Sequence, residues 1–471
     1  MTSSNPATLH DPSDHSFIGH PRGLAYIAFT EAWERFSYYS MQTLLVLYMV
    51  NQLLLPGHIE NIAGFGAFRA FVENLYGHSL STVALASAIF GLYTGFVYLT
   101  PIAGGVIADR WLGKTRTITI GALAMVAGHM LMAFDFSFLI ALVFLLVGVG
   151  LFKGNLAGQV SELYAATDNR RADAFQIYLL FINASVIIAP LTAGTLGEKV
   201  AWHYGFGAAG VGMLISLVIY LYGRKWLPAE QLVAKNSAAR VEQPKLTQNE
   251  RRTVWILLFM LPLLAIGSVG NQEIFNAYLL WVPDHVDLTF FGQVMPTSWL
   301  ITLDATVSVS GLFAGMIFWR LYAKRFREPT EIIKMTIGLG LSALGVTCLF
   351  MAALMADHGQ KASIVWVLGF EVLNSLGFAN LFPVGLALYA RVAPKKLVGT
   401  LVGVYYLHMF LCNNLIGWLG GLIERMSGPQ FWLLHVGLIG TAMVLLFGAS
   451  KVFGSYLMPE QTPVIPDALP A

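Results

Sequence analysis

The run EAWERFSYYSMQ places Glu31, Glu34 and Arg35 inside a stretch that is otherwise apolar from about residue 24 to 50. At 100° per residue, Glu31, Glu34, Arg35, Tyr38 and Gln42 share an arc of about 100° on one helix face. A charge at the centre of a membrane helix costs ~2.5–3.5 kcal/mol on insertion scales, so this stripe must face protein or water. Arg35 reaches either glutamate, at i−4 or i−1, which leaves one carboxylate in need of a cation. Lys153, deep in LLVGVGLFKGNLAGQ, is the other basic residue far from a helix end. The expectation is a Glu31/Glu34/Arg35/Lys153 cluster across two helices. Two neighbouring carboxylates flanked by cations make a titrating group, so the chemistry to expect is proton uptake and release tied to exchange of ion pairs. Structural glue between two helices is the plainer alternative.

Elements that hold such a cluster must be membrane helices. The chain has 471 residues, of which 56% are hydrophobic and 11% charged, with a mean hydropathy of +0.65. Apolar runs of 20 to 30 residues recur, and roughly 20 suffice to cross the hydrocarbon core. Twelve spans are predicted, near 24–50, 82–108, 115–134, 137–163, 172–197, 203–226, 252–283, 295–323, 330–356, 362–391, 397–424 and 430–456. They divide the chain into a cytoplasmic tail (1–23), a six-helix bundle (24–226), a polar linker (227–251), a second six-helix bundle (252–456) and a second cytoplasmic tail (457–471). The fold class is therefore an all-α membrane protein with two pseudo-symmetric six-helix bundles. GGVIADRWLGKTR after the second span and GMIFWRLYAKRFREP after the eighth repeat one pattern at matching places, as in transporters built from internal repeats. With both termini inside, only Arg69, Lys199, Lys361 and Arg425 fall on outer connections, in keeping with the accumulation of Lys and Arg on the cytoplasmic side.

Other functions find little support. A net charge of +2 is too small to imply nucleic acid, and the polar start carries no cleavable signal. His10, His15 and His20 read as solvated tail residues. Cys348 and Cys412 lie in apolar runs, which supports neither disulfides nor a zinc site. No metal-ligand spacing, nucleophile elbow or paired His and Asp suggests an enzyme. Elsewhere in the membrane, Asp304 with Ser308 at i+4 makes a polar stripe, read as lining a cavity, with a buried helix-helix hydrogen bond as the alternative. Glu273 and Glu371 are open between cavity and helix contact. Asn155, Gln159 and Glu162 read as interhelical contacts or a gate, Gly150, Gly154 and Gly158 as a packing ladder, and His408 as a packing residue.

The segment Glu31-Ala-Trp-Glu34-Arg35-Phe36-Ser-Tyr38-Tyr39 resembles the ExxERFxYY motif of the proton-dependent oligopeptide transporters, a branch of the major facilitator superfamily. VYLTPIAGGVIADRWLGK with Tyr98 and Asp109, LFKGNLAGQV with Lys153, INASVIIAPL with Asn183, and VGLALYARVAPKKLVGTLVGVYYL extend the resemblance to both halves. The resemblance implies two bundles rocking about a central cavity, importing di- and tripeptides with protons and needing no other cofactor. It assigns Glu31, Glu34, Arg35 and Lys153 to proton coupling, Tyr38, Tyr39, Tyr98 and Asn183 to the peptide site, and Asp109 and Arg110 to a cytoplasmic gate.

The departures fall in the substrate site. Gln42 stands where the family has a carboxylate-binding arginine, and Phe378 where a glutamate receives the peptide amine. Asn271-Gln272-Glu273 replaces the pattern around a Glu-Gln pair, and Asp304 replaces an asparagine. Glu371, seven residues before Phe378 and about 10 Å along the helix, is too far away to substitute for that glutamate. Gln42, Asn271, Asp304 and Phe378 are thus expected at the substrate site, with another small polar or anionic solute as the alternative cargo. The linker has no apolar run, so the extra helix pair of many bacterial members is not expected. A monomer in a bacterial cell membrane, surrounded by lipid and binding a small molecule, completes the expectation.

Overall fold

In hydrocarbon every backbone N–H and C=O must be satisfied within the chain, so long apolar runs fold as helices. The computed structural model describes residues 14–165, 168–228, 246–290, 292–356 and 359–457. Its first half contains α1 (Arg22–Tyr48), α2 (Phe65–Tyr76), α3 (Thr82–Ile107), α4 (Lys114–Leu131), α5 (Phe138–Glu162), α6 (Arg170–Ala189), the short α7 (Thr195–Lys199) and α8 (Trp202–Gly223). The second contains α9 (Gln248–Gly267), α10 (Val269–Gln272), α11 (Ala277–His285), a hairpin of β1 (Thr289–Phe290) and β2 (Gln293–Val294), α12 (Trp299–Ala323), α13 (Glu331–Ala356), α14 (Ile364–Val392), α15 (Val398–Tyr405), α16 (Leu407–Gly420) and α17 (Gly428–Phe453).

Packing repeats between the halves. In the first, α4 packs on α5 and α8, α3 on α5, and α1 on α8 and α6; in the second, α13 packs on α14 and α17, α12 on α14, and α9 on α17 and α16. The halves meet where α3 lies against α16 and α6 against α12. Two close approaches require glycine. A Cβ on Gly104 would lie 1.9 Å from the Gly150 oxygen, and one on Gly91 would lie 2.4 Å from the Asn413 oxygen and 2.7 Å from Gly417 Cα. Gly150 therefore packs as expected, although the tightest contact is made by Gly104, whose part the sequence reading missed.

Hydrogen bonds between the halves cluster at the end of the molecule away from the described chain ends. Glu198 accepts from the backbone N–H groups of Thr297 (2.8 Å) and Ser298 (2.7 Å). The Trp299 indole donates to Thr195 (2.8 Å), Lys199 to the Val294 carbonyl (3.2 Å), and Ser81 to Glu424. This end is called the clasped end below. A cavity of about 500 Å³ lies there, lined in part by Asn51, Glu198, Trp202, Trp281, Asp284 and His285, and it includes none of the site residues expected from the sequence.

Among the described residues, nine helices are long and apolar enough to cross a membrane, and ten if α9 with α10 counts as one bent span. The helical segments cover the twelve predicted positions, but α1 and α4 are not among the nine; in α1 the polar stripe lowers the hydropathy. The seventh predicted span is not one helix. It breaks at Ser268, with a 47° bend, and again at Asn276, whose side chain donates to the Ile416 carbonyl (3.0 Å). The connection at 51–81 holds the unanticipated α2, between Gly64 and Gly77 in left-handed conformations. Nor is His20 solvated: it is buried, and its ring nitrogen meets the Tyr164 hydroxyl at 2.9 Å. His10, both ends of the chain and most of the predicted linker lie outside the described residues.

Candidate functional site

The polar stripe of α1 is enclosed. Glu31, Glu34, Arg35 and Tyr38 are 2%, 0%, 4% and 5% exposed, which places three formal charges out of contact with lipid and solvent. Arg35 Nε lies 2.7 Å from Glu31 Oε1 and 2.8 Å from Glu34 Oε2. One guanidinium thus serves both carboxylates, rather than leaving one to Lys153 as expected. The pairing is incomplete, because Glu31 Oε2, both Glu34 oxygens and Arg35 Nη2 have no hydrogen-bond partner. Tyr178 of α6 faces Glu31. Buried charges with unfilled hydrogen-bonding capacity are costly, and the cost falls when a proton arrives.

Lys153 projects from α5 toward the same stripe but makes no ion pair among the described residues. Its ammonium lies over the Tyr38 and Tyr98 rings, 5.5 Å from each centroid, within electrostatic reach of Glu34 and Glu31. Two ring faces give a cation partial compensation, each worth roughly 0.5–2 kcal/mol. The predicted four residues are therefore one cluster, but Lys153 is its reserve cation. The trio alone carries a formal charge of −1, and Lys153 brings the cluster to zero.

The second half has its own acidic centre. Asp304 is buried between helices, as in the second of its two expected roles, because α14 offers it a hydroxyl: its Oδ1 accepts from Ser308 and Ser375, both at 3.4 Å. Glu371 comes alongside Asp304 and accepts from the Tyr278 hydroxyl at 2.5 Å. Glu273 turns away from both, into the second bundle, where its carboxylate lies 3.3 Å from His435 Nε2 and accepts from the Ala277 N–H. Tyr39 of α1 lies within electrostatic reach of both Glu34 and Asp304, and its ring meets Phe275 at 6.3 Å.

The remaining expected residues spread along the interface or beyond it. Gln42 is buried, Asn271 accepts from the Gln272 amide (3.0 Å), and Asn183 is occupied with its own helix through the Leu179 carbonyl (2.9 Å). Phe378 stacks on Phe382 at 5.3 Å, giving this wall an aromatic surface where the family resemblance called for a carboxylate. Asp109 and Arg110 are exposed in the turn that ends α3. Asn155 donates to the Gly104 carbonyl (3.2 Å), Gln159 accepts from Tyr220 (3.1 Å) and Glu162 pairs with Lys114, so all three make helix contacts. His408 is a packing residue, hydrogen-bonded to the Tyr405 carbonyl. Among the described residues no cluster of three His, Cys, Asp or Glu could hold a metal, and both cysteines are free. Sequence reasoning missed Tyr178, Tyr278 and Ser375. Their only signal was a polar group on an apolar helix, and nothing in the order of residues tells which carboxylate each would meet.

Two repeated helix bundles with buried charges in each describe a multi-span helical membrane protein. The fold matches crystal structures of a peptide transporter POT bound to sulfate (TM-score 0.78, 23% identity, 94% of this chain and 96% of that one) and of a mutant form bound to alafosfalin (0.79, 24%, 94% and 97%). The POT family model matches residues 115–253. Peptide transporter YePEPT of Yersinia enterocolitica is 27% identical over 513 residues, covering 93% of this chain and 96% of its own. A di-/tripeptide transporter of Lactococcus lactis subsp. cremoris is 28% identical over 461 residues, covering 84% and 88%. The chain is thus similar to peptide transporters over most of its length, and to the POT family over residues 115–253.

Proposed function

We propose that the protein is a symporter that carries short peptides and protons together into the cell by alternating access. The observation that carries this reading is the under-coordinated Glu31/Glu34/Arg35 trio, with an unpaired Lys153 beside it. In this scheme Glu34 takes the proton, since neither of its oxygens accepts a hydrogen bond. Its neutralisation frees Arg35 to serve Glu31 alone and removes the anion nearest Lys153. Lys153 then meets the peptide carboxylate between Tyr38 and Tyr98, a task the family resemblance shares with an arginine where this chain has Gln42. Tyr39, Asn183 and Asn271 line the path of the substrate, and Phe378 and Phe382 offer a stacking surface to its side chains. The names of the relatives favour peptides over another polar solute.

Six helices per half and both termini in the cytoplasm are part of this reading, the latter supported by the distribution of Lys and Arg. The clasped end then faces outward and the structure is closed to the exterior. Asp109 and Arg110, at the other end, join when the molecule closes toward the cytoplasm. The protein works as a monomer, with the proton as its coupling ion. The deciding experiment is uptake of labelled dialanine into proteoliposomes under an imposed inward proton gradient. Saturable, gradient-dependent uptake is expected, and indifference to dialanine with inhibition by organic anions would overturn the peptide reading.

A further inference from the structure

The first half is supplied with Arg35 and Lys153, but among the described residues the acidic centre of the second half has no cation. Glu371 is fully buried and Asp304 is 8% exposed. Their carboxyl groups adjoin, and among the described residues no Lys, Arg or His acts on either. The donors around them are all neutral hydroxyls: Tyr278 to Glu371, and Ser308 and Ser375 to Asp304. Glu371 Oε2 has no hydrogen-bond partner.

The surrounding helices offer no remedy. α1 presents Tyr39. α6, packed on α12, carries Tyr178, which faces Glu31. α13, packed on α14, brings Cys348 against Gly369. α15 brings Tyr405, which donates to the Phe382 carbonyl, and His435 of α17 is engaged by Glu273. Arg391 pairs with Glu331 at the end of α14, away from the pair. Two adjacent carboxylates without a cation, out of water, cannot both be ionised, because each destabilises the charge of the other.

We propose that Asp304 and Glu371 form a second proton-binding site, in the second half of the molecule, which holds one proton between its two carboxyl groups with the Tyr278 hydroxyl as positioning donor. The proton is shared by the pair and is assigned to neither residue alone. Its use in transport rests on the symporter reading above, whereas its presence does not. Tyr39, within reach of both acidic centres, is the side chain through which occupancy of one is sensed at the other.

The test is infrared absorption of the full-length protein in lipid at neutral pH, on a Glu34→Gln background so that Glu34 contributes nothing. A carbonyl band from a protonated carboxyl is expected, lost in Asp304→Asn/Glu371→Gln and present but displaced in frequency in Tyr278→Phe. Equal absorbance in the double variant and its parent overturns the proposal, as does a band that Tyr278→Phe leaves unmoved. If the double variant does not fold, the Tyr278→Phe comparison decides. Dialanine counterflow by the otherwise unsubstituted protein is measured separately. Its absence would sink the peptide reading and leave the infrared result standing.

Discussion

Glu34 and Lys153 bear different parts of the proposed cycle, and substitutions should separate them. Glu34→Gln fixes the neutral state, so accumulation of dialanine driven by a proton gradient is expected to fall to background while peptide-for-peptide exchange continues. Loss of both would make Glu34 structural. Lys153→Gln removes a charged donor worth about 1.5–3 kcal/mol to a bound carboxylate, a roughly 10- to 100-fold loss of peptide affinity. A peptide with an amidated C-terminus should not feel the change, a contrast that equilibrium competition measures directly. The legibility of this site was uneven. Spacing on one helix sufficed to group Glu31, Glu34, Arg35 and Tyr38, because all four share a face. It did not reveal that Arg35 serves both glutamates, since i−4 and i−1 are equally accessible until rotamers are fixed. Asp304 and Glu371 were singled out only separately, because their meeting depends on how α12 and α14 are rotated, which neither helix encodes by itself.

Among the elements, α3 and α5 form the most exacting contact. Gly104→Ala would place a methyl group 1.9 Å from the Gly150 oxygen. Overpacking of this kind costs about 1–3 kcal/mol, and here it must separate two backbones, so a lowered midpoint of thermal unfolding in detergent is expected. Gly105→Ala, where a Cβ would meet nothing within 4 Å, serves as its control. The small helix α2 makes a pH prediction. Glu73 accepts the Leu80 N–H (3.0 Å) and pairs with Arg69 (2.9 Å), and these contacts hold its carboxyl below the usual value of 4.5. A depressed value in the folded state means that the stabilisation is present above the ordinary glutamate range and is lost as pH falls through the folded-state value. The protection of the Leu80 amide against hydrogen exchange, relative to its intrinsic rate at each pH, should fall on acidification across that range in the parent and show no such step in Glu73→Gln. Long spans such as α13 and α17 were legible because twenty apolar residues in a row admit few alternatives in a bilayer. The break at Ser268 and Asn276 was not, since its cause is a tertiary hydrogen bond to the Ile416 carbonyl.

On the scale of the whole molecule, the clasped end is the feature expected to bias the conformational balance of the proposed cycle. Glu198 accepts two backbone hydrogen bonds from the other half, and hydrogen bonds to a charged group contribute about 1.5–3 kcal/mol each. Glu198→Gln is expected to weaken them and shift the balance toward opening at that end, by roughly 30-fold for a loss of 2 kcal/mol. Spin labels at Val200 and Val294, on a cysteine-free background, should report a longer distance population that is minor in the parent. An unchanged distribution would mean that the clasp contributes no conformational bias. The two-bundle plan was legible from the paired basic turns and the polar linker composition. The clasp was not, because it is made by segments distant in sequence.

Where α3 crosses α16, Gly91 and Gly417 let main chain lie directly on main chain, with no side chain between to compress or reorient. In the proposed alternating-access cycle such a bearing would serve as a fulcrum, with stiff helices as its arms, so that narrowing one end of the molecule widens the other. A bulky residue at either glycine is then expected to give a protein that still binds dialanine but fails to turn over.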